Sequence, residues 1–259
     1  MTAVRLLLLL AACAPVRPLA PASGLSGDVA QDAARDADRP RLVVMVAIDQ
    51  MVPEQLDRLA PILEGGLGRF LREGRGHREA ALQYGATETG PGHATYATGC
   101  LPRRHGIVGN SWVPAEASQE VYCVGDPDAR LVTEDGPRES WAYARQRMSP
   151  RNLRAPTLGE HLRAALPDAR VVSISSKDRA AITMAGQTAD LVLWWNRVGG
   201  GFATSTAYAD SVPPWVADWN ANWIDRLRTG PFGRGWEPLP LDDETARCTG
   251  TAPDQRPGE

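Results

Sequence analysis

The sequence predicts an α/β fold, with a mostly parallel sheet and helices on both of its faces. Three apolar runs rich in branched residues lead to this prediction, and they lie at 41–48, 169–175 and 190–195. A continuous apolar run of this length is typical of a strand that is buried on both faces, as in a parallel sheet. Amphipathic stretches separate the runs, and strands that alternate with helices are the pattern of α/β layers.

The elements predicted after the first run follow one another closely. Pro53 opens a helix, because proline suits a first helical turn, and the pair Gly65-Gly66 ends it. Residues 68–74 predict a second short helix, and residues 80–84 predict a weak strand.

Three further helices are predicted. One runs from 91 to 98 with Gly99 just past its end, and amphipathic patterns indicate others at 156–166 and 213–228. Hydrophobicity falls from residue 238 onward, and 248–259 has the composition of a loop. We therefore expect the domain that starts at residue 41 to be incomplete at its C-terminus, with 41–259 as its N-terminal portion.

Composition and charge are those of a globular protein. The 259 residues are 43% hydrophobic and 23% charged, and the net charge is -3. Such a charge provides no general attraction to nucleic acid, so no nucleic-acid partner is expected. The length is sufficient for one large domain with a substantial core.

The N-terminus resembles an export signal. A basic residue at Arg5 precedes an apolar run that is too short to span a bilayer and that leads into Cys13. Residues 1–13 predict a lipoprotein-type signal with Cys13 as the lipidated residue, and 14–40 predict a flexible tether. The alternative is a plain secretory signal cut near Ala20 or Ala22. Either signal predicts an exported protein, periplasmic or anchored to the outer membrane. Only the lipoprotein signal would bring it into contact with a membrane, through its lipid.

Export would place the remaining cysteines in an oxidising compartment. These are Cys100, Cys123 and Cys248, an odd number, so one disulfide and one thiol is the simplest expectation. A Cys100–Cys123 bond would close a short loop, but the sequence leaves the pairing open. A cysteine zinc site is not expected, because no Cys-x-x-Cys pair is present.

Asp49 directly follows the first predicted strand. Ligands of open parallel sheets bind beyond the carboxyl ends of the strands, so an acid in this position is well placed to meet a cation. The alternative is an ordinary turn or cap aspartate.

Thr89 precedes Gly-Pro-Gly at the predicted start of a helix. A threonine in this position is an N-cap candidate, and open backbone N–H groups and the helix dipole would favour a bound phosphate or an ionised hydroxyl there. Gly90 and Gly92 would leave room for a substrate against the backbone. The alternative is a plain threonine cap.

Two more polar features follow. Asn110 lies in a glycine-bounded loop, where its amide is suited to donate to a phosphate oxygen. Lys177 and Arg179 lie two residues apart just past a predicted strand, and two cations there would make a clamp for a dianion. Alone, each feature is also typical of a polar loop or a solvated charge run.

Together these motifs resemble the alkaline phosphatase superfamily. The resemblance is to secreted bacterial alkaline phosphatases with a threonine nucleophile, kin to the type I phosphodiesterase/nucleotide pyrophosphatase group, and it runs from about residue 41 to about residue 230. The segments that carry it are Val46-Ala-Ile-Asp49-Gln-Met51, Thr89-Gly-Pro-Gly-His-Ala94, the loop from Thr98 to Asn110, and Ser176-Lys-Asp-Arg179.

The resemblance implies a two-zinc phosphohydrolase acting on a small phosphorylated substrate. Thr89 would match the nucleophile that becomes phosphorylated and also contacts zinc, and Asp49 would match a zinc-ligating aspartate. The groups that hold the phosphoryl oxygens would be Asn110, Lys177 and Arg179. Two cations favour the extra charge of a phosphomonoester, and a phosphodiesterase is the alternative.

The zinc ligands that the family pattern supplies downstream are missing from the sequence. The chain has four histidines, and it contains neither Asp-x-x-x-His nor Asp-His. His93 and His105 are expected to be packing residues, and His77 and His161 to be surface residues. We therefore expect a fragment of a chain roughly twice as long, by analogy with whole domains of this type, with little or no phosphatase activity alone. The alternative is an inactive phosphate-binding remnant.

Overall fold

The computed structural model describes residues 40–77, 80–116, 118–138 and 146–229. The predicted signal, Cys13, the tether up to residue 39, and Cys248 lie outside these ranges. The chain divides into two compact units, one of residues 1–80 and 239–259 and one of residues 81–238. Among the described residues, no helix is both long enough and apolar enough to cross a membrane.

The first unit contains helices in its described part. In order these are α1 (Pro53–Leu59), a short 3-10 helix (Ala60–Ile62) and α2 (Gly65–Glu73). Pro53 occupies the first turn of α1, as predicted. The predicted second helix is confirmed but begins earlier, because Gly65 and Gly66 form its first turn instead of ending α1.

The predicted buried strand at 41–48 is wrong. The segment forms no strand, and Leu42, Val46 and Ile48 are exposed. The apolar run predicts burial, but a strand also requires a neighbour that accepts and donates its backbone hydrogen bonds. Residues 80–84 likewise form no strand.

The second unit contains the sheet. Its described elements, in chain order, are α3 (Thr89–Thr98), α4 (Pro102–His105), β1 (Ser111–Trp112), β2 (Val121–Tyr122), β3 (Leu131–Thr133), β4 (Gly136–Pro137), α5 (Leu158–Ala165), β5 (Val172–Ser175), α6 (Asp178–Ala185), β6 (Leu191–Asn196), β7 (Gly201–Ser205) and α7 (Pro214–Thr229).

The α/β class is confirmed, but the pairing of the strands is mixed. Five strands form one sheet in the order β4-β3-β7-β6-β5, and β1 and β2 form a separate two-stranded sheet. Within the described residues only β5 and β6 pair in parallel, and the other strands pair antiparallel. The mostly parallel sheet is therefore corrected to a mixed one. Apolar composition does not determine the direction of the neighbouring strand. It also does not ensure burial: β5 is the last strand of the sheet order, and its Val172 and Ile174 are exposed, so the predicted burial on both faces is wrong for the run at 169–175.

Helices cover both faces of β6, as predicted. Val192 and Trp194 point to one face, where they join the main core with Ile182 of α6. Leu193 points to the opposite face and packs against Val216 of α7. Because successive side chains of a strand alternate between its faces, one strand is buried by a helix on each side.

Candidate functional site

Thr89 begins α3. It is the first residue of the helix, while Glu88 before it has an extended backbone and is the N-cap. The predicted capping role is thus displaced by one residue. Thr89 is half-buried, so its hydroxyl lies at the helix N-terminus within reach of side chains from other elements.

Lys177 reaches the Thr89 hydroxyl from a distant part of the chain. It is the N-cap residue of α6, which begins soon after β5 ends. Its Nζ donates a hydrogen bond to Thr89 Oγ1 at 3.3 Å. The N-terminal ends of α3 and α6 therefore meet, and an ammonium group lies against a threonine oxygen that it can stabilise in the ionised form.

Asn110 is held in a fixed orientation beside Thr89. Its Oδ1 accepts a hydrogen bond from the Gly90 backbone N–H at 2.8 Å, and its own backbone N–H donates to Glu88 Oε2 at 2.5 Å. An amide whose oxygen is bound in this way presents its NH₂ group as the remaining donor. Asn110 thus lies beside Gly90 at the start of α3, and its role as a donor to a phosphate oxygen stays a prediction.

The backbone groups at the start of α3 differ from the prediction. The Gly90 N–H is bound by Asn110, Pro91 has no N–H, and the Gly92 N–H donates to the Glu88 carbonyl at 3.0 Å. The expectation of open amides at these three positions is wrong, because the protein itself satisfies them. The helix N-terminus orients a side-chain donor instead of presenting a row of backbone donors.

The space at Gly90 is also used by the protein. A Cβ atom there would lie 3.1 Å from Cys123 Sγ and 3.2 Å from Asn110 Oδ1, whereas a Cβ atom at Gly92 would meet nothing within 4 Å. The prediction that both glycines make room for a substrate is therefore corrected for Gly90. It has no side chain so that the loop carrying Asn110 can approach the helix.

Arg179 lies in the first turn of α6, just past Lys177. Its Nη1 donates to Tyr122 Oη at 3.2 Å and lies 3.8 Å from Asp178 Oδ1. Its Nε is buried, and no protein group among the described residues accepts its proton. The guanidinium group is therefore held on one side and keeps a donor that requires a further acceptor.

The thiols of Cys100 and Cys123 are both unpaired, so the disulfide considered between them is absent. Cys123 is buried below Gly90. Burial, together with the nearby charge of Asp178, raises the pKa of its thiol to about 12. It is therefore a neutral packing group at physiological pH.

The described residues contain no metal-binding cluster. Nowhere in these ranges do three or more His, Cys, Asp or Glu side chains come together in a way that could hold a metal ion. Asp49 lies in a turn of the first unit, and its predicted role as a zinc ligand stays a prediction.

The histidines have the structural positions that the sequence predicts. His77 and His161 are exposed. His93 is buried and donates from Nδ1 to the Thr89 carbonyl at 2.8 Å. His105 is fully buried, and burial lowers its pKa to about 4. His93 bonds within α3, and His105 links Thr95 of α3 to the backbone that follows α4.

Sequence reasoning missed three residues that surround the site. Glu88 binds the Asn110 backbone, and Tyr122 and Asp178 contact Arg179. Asp178 lies between the two predicted cations, and Glu88 lies directly before Thr89. Their positions next to predicted site residues could have indicated both of them. Tyr122 is far from Arg179 along the chain, and no pattern indicates their contact.

Known proteins resemble this chain over most of its length. A family model described as type I phosphodiesterase / nucleotide pyrophosphatase matches residues 43–249. The alkaline phosphatase PhoV of Synechococcus elongatus is 35% identical over 221 residues, which are 84% of this chain and 38% of PhoV. The alkaline phosphatase PhoK of a Sphingomonas species is 36% identical over 194 residues, which are 74% of this chain and 33% of PhoK.

Solved structures agree with this relationship. The crystal structure of the wild-type alkaline phosphatase PafA is 32% identical, with a TM-score of 0.67 over 77% of this chain and 37% of PafA. A PafA variant with substitutions of a threonine, an asparagine, a lysine and an arginine matches with a TM-score of 0.66. The chain thus spans less than two fifths of the length of these relatives. Because the family model covers most of its residues, the chain belongs to the type I phosphodiesterase/nucleotide pyrophosphatase family.

Proposed function

We propose that Thr89, Asn110, Lys177 and Arg179 form the phosphoryl-accepting part of a phosphomonoesterase site. The observation that carries the proposal is the contact of Lys177 Nζ with Thr89 Oγ1 at 3.3 Å. A hydroxyl in contact with an ammonium group, next to an oriented amide donor, is a nucleophile surrounded by groups suited to phosphoryl oxygens. The relatives that are named alkaline phosphatases support this assignment.

In the proposed reaction, Thr89 Oγ1 forms a bond to phosphorus. The bond between phosphorus and the leaving oxygen breaks, and the Thr89 proton ends on the leaving alcohol. Lys177 stabilises negative charge on the attacking oxygen, while the Asn110 amide and the Arg179 guanidinium donate to the non-bridging oxygens. Water then cleaves the phosphothreonine and releases phosphate.

The four substituted residues of the PafA variant provide a second line of support. They are a threonine, an asparagine, a lysine and an arginine, in that order along the chain. Thr89, Asn110, Lys177 and Arg179 follow the same order here, and the spacing from threonine to asparagine and from lysine to arginine is the same.

A monoester is favoured over a diester by charge. A phosphomonoester dianion carries one more negative charge than a diester, and Lys177 and Arg179 supply two cations at the start of one helix. The description of the family model favours the second candidate, hydrolysis of a phosphodiester or nucleotide pyrophosphate.

The described residues do not fit a two-zinc centre. They hold no cluster of ligating side chains, so no step of the proposed reaction is assigned to zinc. Zinc, with Asp49 and Thr89 among its ligands, stays a prediction from the resemblance. The role that we propose for the described residues by themselves is to bind and orient a phosphoryl group. For the intact protein we propose export and, through Cys13, a lipid anchor as its sole contact with a membrane.

The experiment measures phosphate binding and phosphoryl transfer separately. The purified chain is titrated with inorganic phosphate, and Thr89 is examined by mass spectrometry after incubation with an aryl phosphate, with and without added Zn²⁺. We expect phosphate to bind without added metal, phosphate to be transferred to Thr89, and turnover to be low. Thr89→Ala should abolish the transfer.

Thr98→Ala is the matched control. Thr98 lies at the other end of α3, where its Oγ1 donates to the Ala94 carbonyl at 2.7 Å, so the variant removes a hydroxyl from the same helix away from the site. It should still be phosphorylated at Thr89. Aryl phosphate hydrolysis that survives Thr89→Ala would contradict the proposal, and faster hydrolysis of a diester than of a monoester would favour the second candidate.

A further inference from the structure

Arg179, Tyr122 and Asp178 form one hydrogen-bonded group. Tyr122 Oη donates to Asp178 Oδ1 at 2.8 Å and accepts from Arg179 Nη1 at 3.2 Å. The side chains of Asp178 and Arg179 are 14% and 24% exposed, so the group is mostly shielded from water. Hydrogen bonds to ions in such surroundings are stronger and more directional than at an open surface.

The single proton of the Tyr122 hydroxyl determines the direction of these hydrogen bonds. The Asp178 carboxylate can only accept, so the phenol gives its proton to Asp178 and presents a lone pair to Arg179. Burial and the Asp178 charge raise the pKa of Tyr122, which keeps the phenol neutral. The phenol thus connects the carboxylate and the guanidinium group in a fixed order.

The same tyrosine is joined to the loop that carries Asn110. Tyr122 lies in β2 opposite Ser111 of β1, and the Cys123 N–H donates to the Asn110 carbonyl at 2.9 Å. Asn110 therefore stands at one end of a short hairpin, next to the paired residues Ser111 and Tyr122. The hairpin is in contact with α3 through Asn110 and with α6 through Tyr122.

We propose that Tyr122, supported by Asp178, is a positioning residue that holds the Arg179 guanidinium in place for a phosphoryl group and ties it to Asn110. The proposal rests on the proposed function above. Tyr122 holds one terminal nitrogen of Arg179, and the buried Nε has no protein acceptor among the described residues. An arginine restrained before its ligand arrives loses less side-chain entropy on binding than a mobile one.

The first measurement follows the guanidinium group itself. In the full chain labelled with ¹³C and ¹⁵N on arginine, the Arg179 signals are assigned from their loss in Arg179→Ala. We expect Tyr122→Phe to average the separate Nη signals of Arg179, since its rotation is no longer restrained. Tyr84→Phe is the matched control, because Tyr84 is a half-buried tyrosine that donates to Thr95 Oγ1 and not to Arg179.

The second measurement is a double-mutant cycle of phosphate binding. We expect Tyr122→Phe to weaken the binding of inorganic phosphate by about three- to tenfold, the usual entropy cost of immobilising one long side chain that was not restrained beforehand. In the Arg179→Ala background the same change should alter binding less than about twofold, because its effect passes through Arg179. Asp178→Asn, which keeps an acceptor for the phenol, should lie between wild type and Tyr122→Phe.

The two measurements separate failure of the inference from failure of the proposed function. Unchanged Arg179 signals in Tyr122→Phe, or an equal loss of phosphate binding in both backgrounds, would overturn the positioning role. A wild-type chain that binds no phosphate would instead overturn the proposed function, and the Arg179 signals would then decide the positioning role alone. Amide spectra of each variant show whether it is folded.

Discussion

The two ends of α3 carry similar pairs of side chains with different consequences. At the N-terminal end, Lys177 Nζ lies 3.3 Å from Thr89 Oγ1, and in the last two turns His105 Nε2 lies 3.1 Å from Thr95 Oγ1. Both pairs join a threonine hydroxyl to a nitrogen base. The Lys177 side chain is partly exposed, whereas the His105 imidazole is fully buried and its pKa is lowered to about 4 by burial.

The two pairs differ in how many of their hydrogen-bonding groups have a partner within the protein. Thr95 also accepts from Tyr84 at 3.0 Å, and the Ile107 N–H donates to His105 Nδ1 at 3.2 Å, so the second network is closed. At the first end, the oriented Asn110 amide leaves its NH₂ group as a donor. A polar cluster that is satisfied internally stabilises the fold, whereas one that keeps donors can bind a ligand.

The largest expected effect concerns pH at the closed end. Burial lowers the pKa of His105 to about 4 from its ordinary value of 6.5, so the unfolded chain binds a proton that the folded chain does not. The stability that comes from keeping His105 neutral is fully present above pH 6.5, and it is lost as the pH falls toward 4. We expect the free energy of unfolding to fall by about 3 kcal/mol over this interval.

The measurement is denaturant unfolding at several pH values. His105→Gln should lower stability at neutral pH and remove most of this pH dependence. Tyr84→Phe opens the same network without removing a group that titrates between pH 4 and 6.5, because the pKa of Tyr84 is raised above its ordinary value of 10.0 by burial, so it should lower stability and keep the slope. An unchanged slope in His105→Gln would contradict the assignment.

The next effect concerns ligand binding at the open end. Lys177→Ala should weaken phosphate binding by about 10- to 100-fold, because it removes a hydrogen bond to a charged group. Its effect on stability should stay below about 1 kcal/mol, since Lys177 is a partly exposed cap residue. Isothermal titration calorimetry and thermal unfolding check the two values.

Thr95→Val is the counterpart at the closed end. It should destabilise the fold, because His105 and Tyr84 both lose their partner, and it should leave phosphate affinity within about twofold. If Thr95→Val weakened phosphate binding as much as Lys177→Ala does, the distinction between the two ends would fail.

A smaller effect separates the two glycines at the start of α3. Gly90→Ala places a Cβ 3.1 Å from Cys123 Sγ and 3.2 Å from Asn110 Oδ1, so it should destabilise the fold by about 1–2 kcal/mol and displace the amide. Gly92→Ala points into open space within the helix and should stabilise by roughly 0.5–1 kcal/mol. In thermal unfolding, the melting temperature should fall in Gly90→Ala and rise in Gly92→Ala. Changes of the same sign would contradict the different surroundings of the two glycines.

The smallest effect is expected at Glu88. Glu88→Gln keeps an acceptor for the Asn110 N–H but removes a charge from the N-terminus of α3, which favours anions by about 0.5 kcal/mol. Stability should therefore fall slightly, while phosphate binding should tighten by up to about threefold, since a negative charge near the ligand is lost. Weaker phosphate binding would indicate that the carboxylate itself is required to hold the loop.

The local elements were predictable to the extent that their signals are local. Pro53, and Gly99 with its left-handed backbone at φ 64°, mark helix ends by the geometry of proline and glycine alone. The runs that form β5 and β6 were recognised from another local signal, their continuous apolar composition. The strand predicted at 41–48 failed because its composition is local and the existence of a pairing neighbour is not.

The candidate residues of the site could be identified from the sequence alone. Thr89, Asn110, Lys177 and Arg179 could be selected as candidates because the proposed phosphoryl chemistry requires a hydroxyl, a donor amide and cations, and these occur in segments of characteristic spacing. Their family was recognisable on the same grounds.

Only the tertiary structure decided which polar groups remain available. It closed the network of His105, turned the Asn110 oxygen toward Gly90, and brought Tyr122 to Arg179 across 57 positions of sequence. Hydrogen-bond satisfaction depends on distances between groups that are remote along the chain, so it is settled by packing and cannot be read from residue types alone.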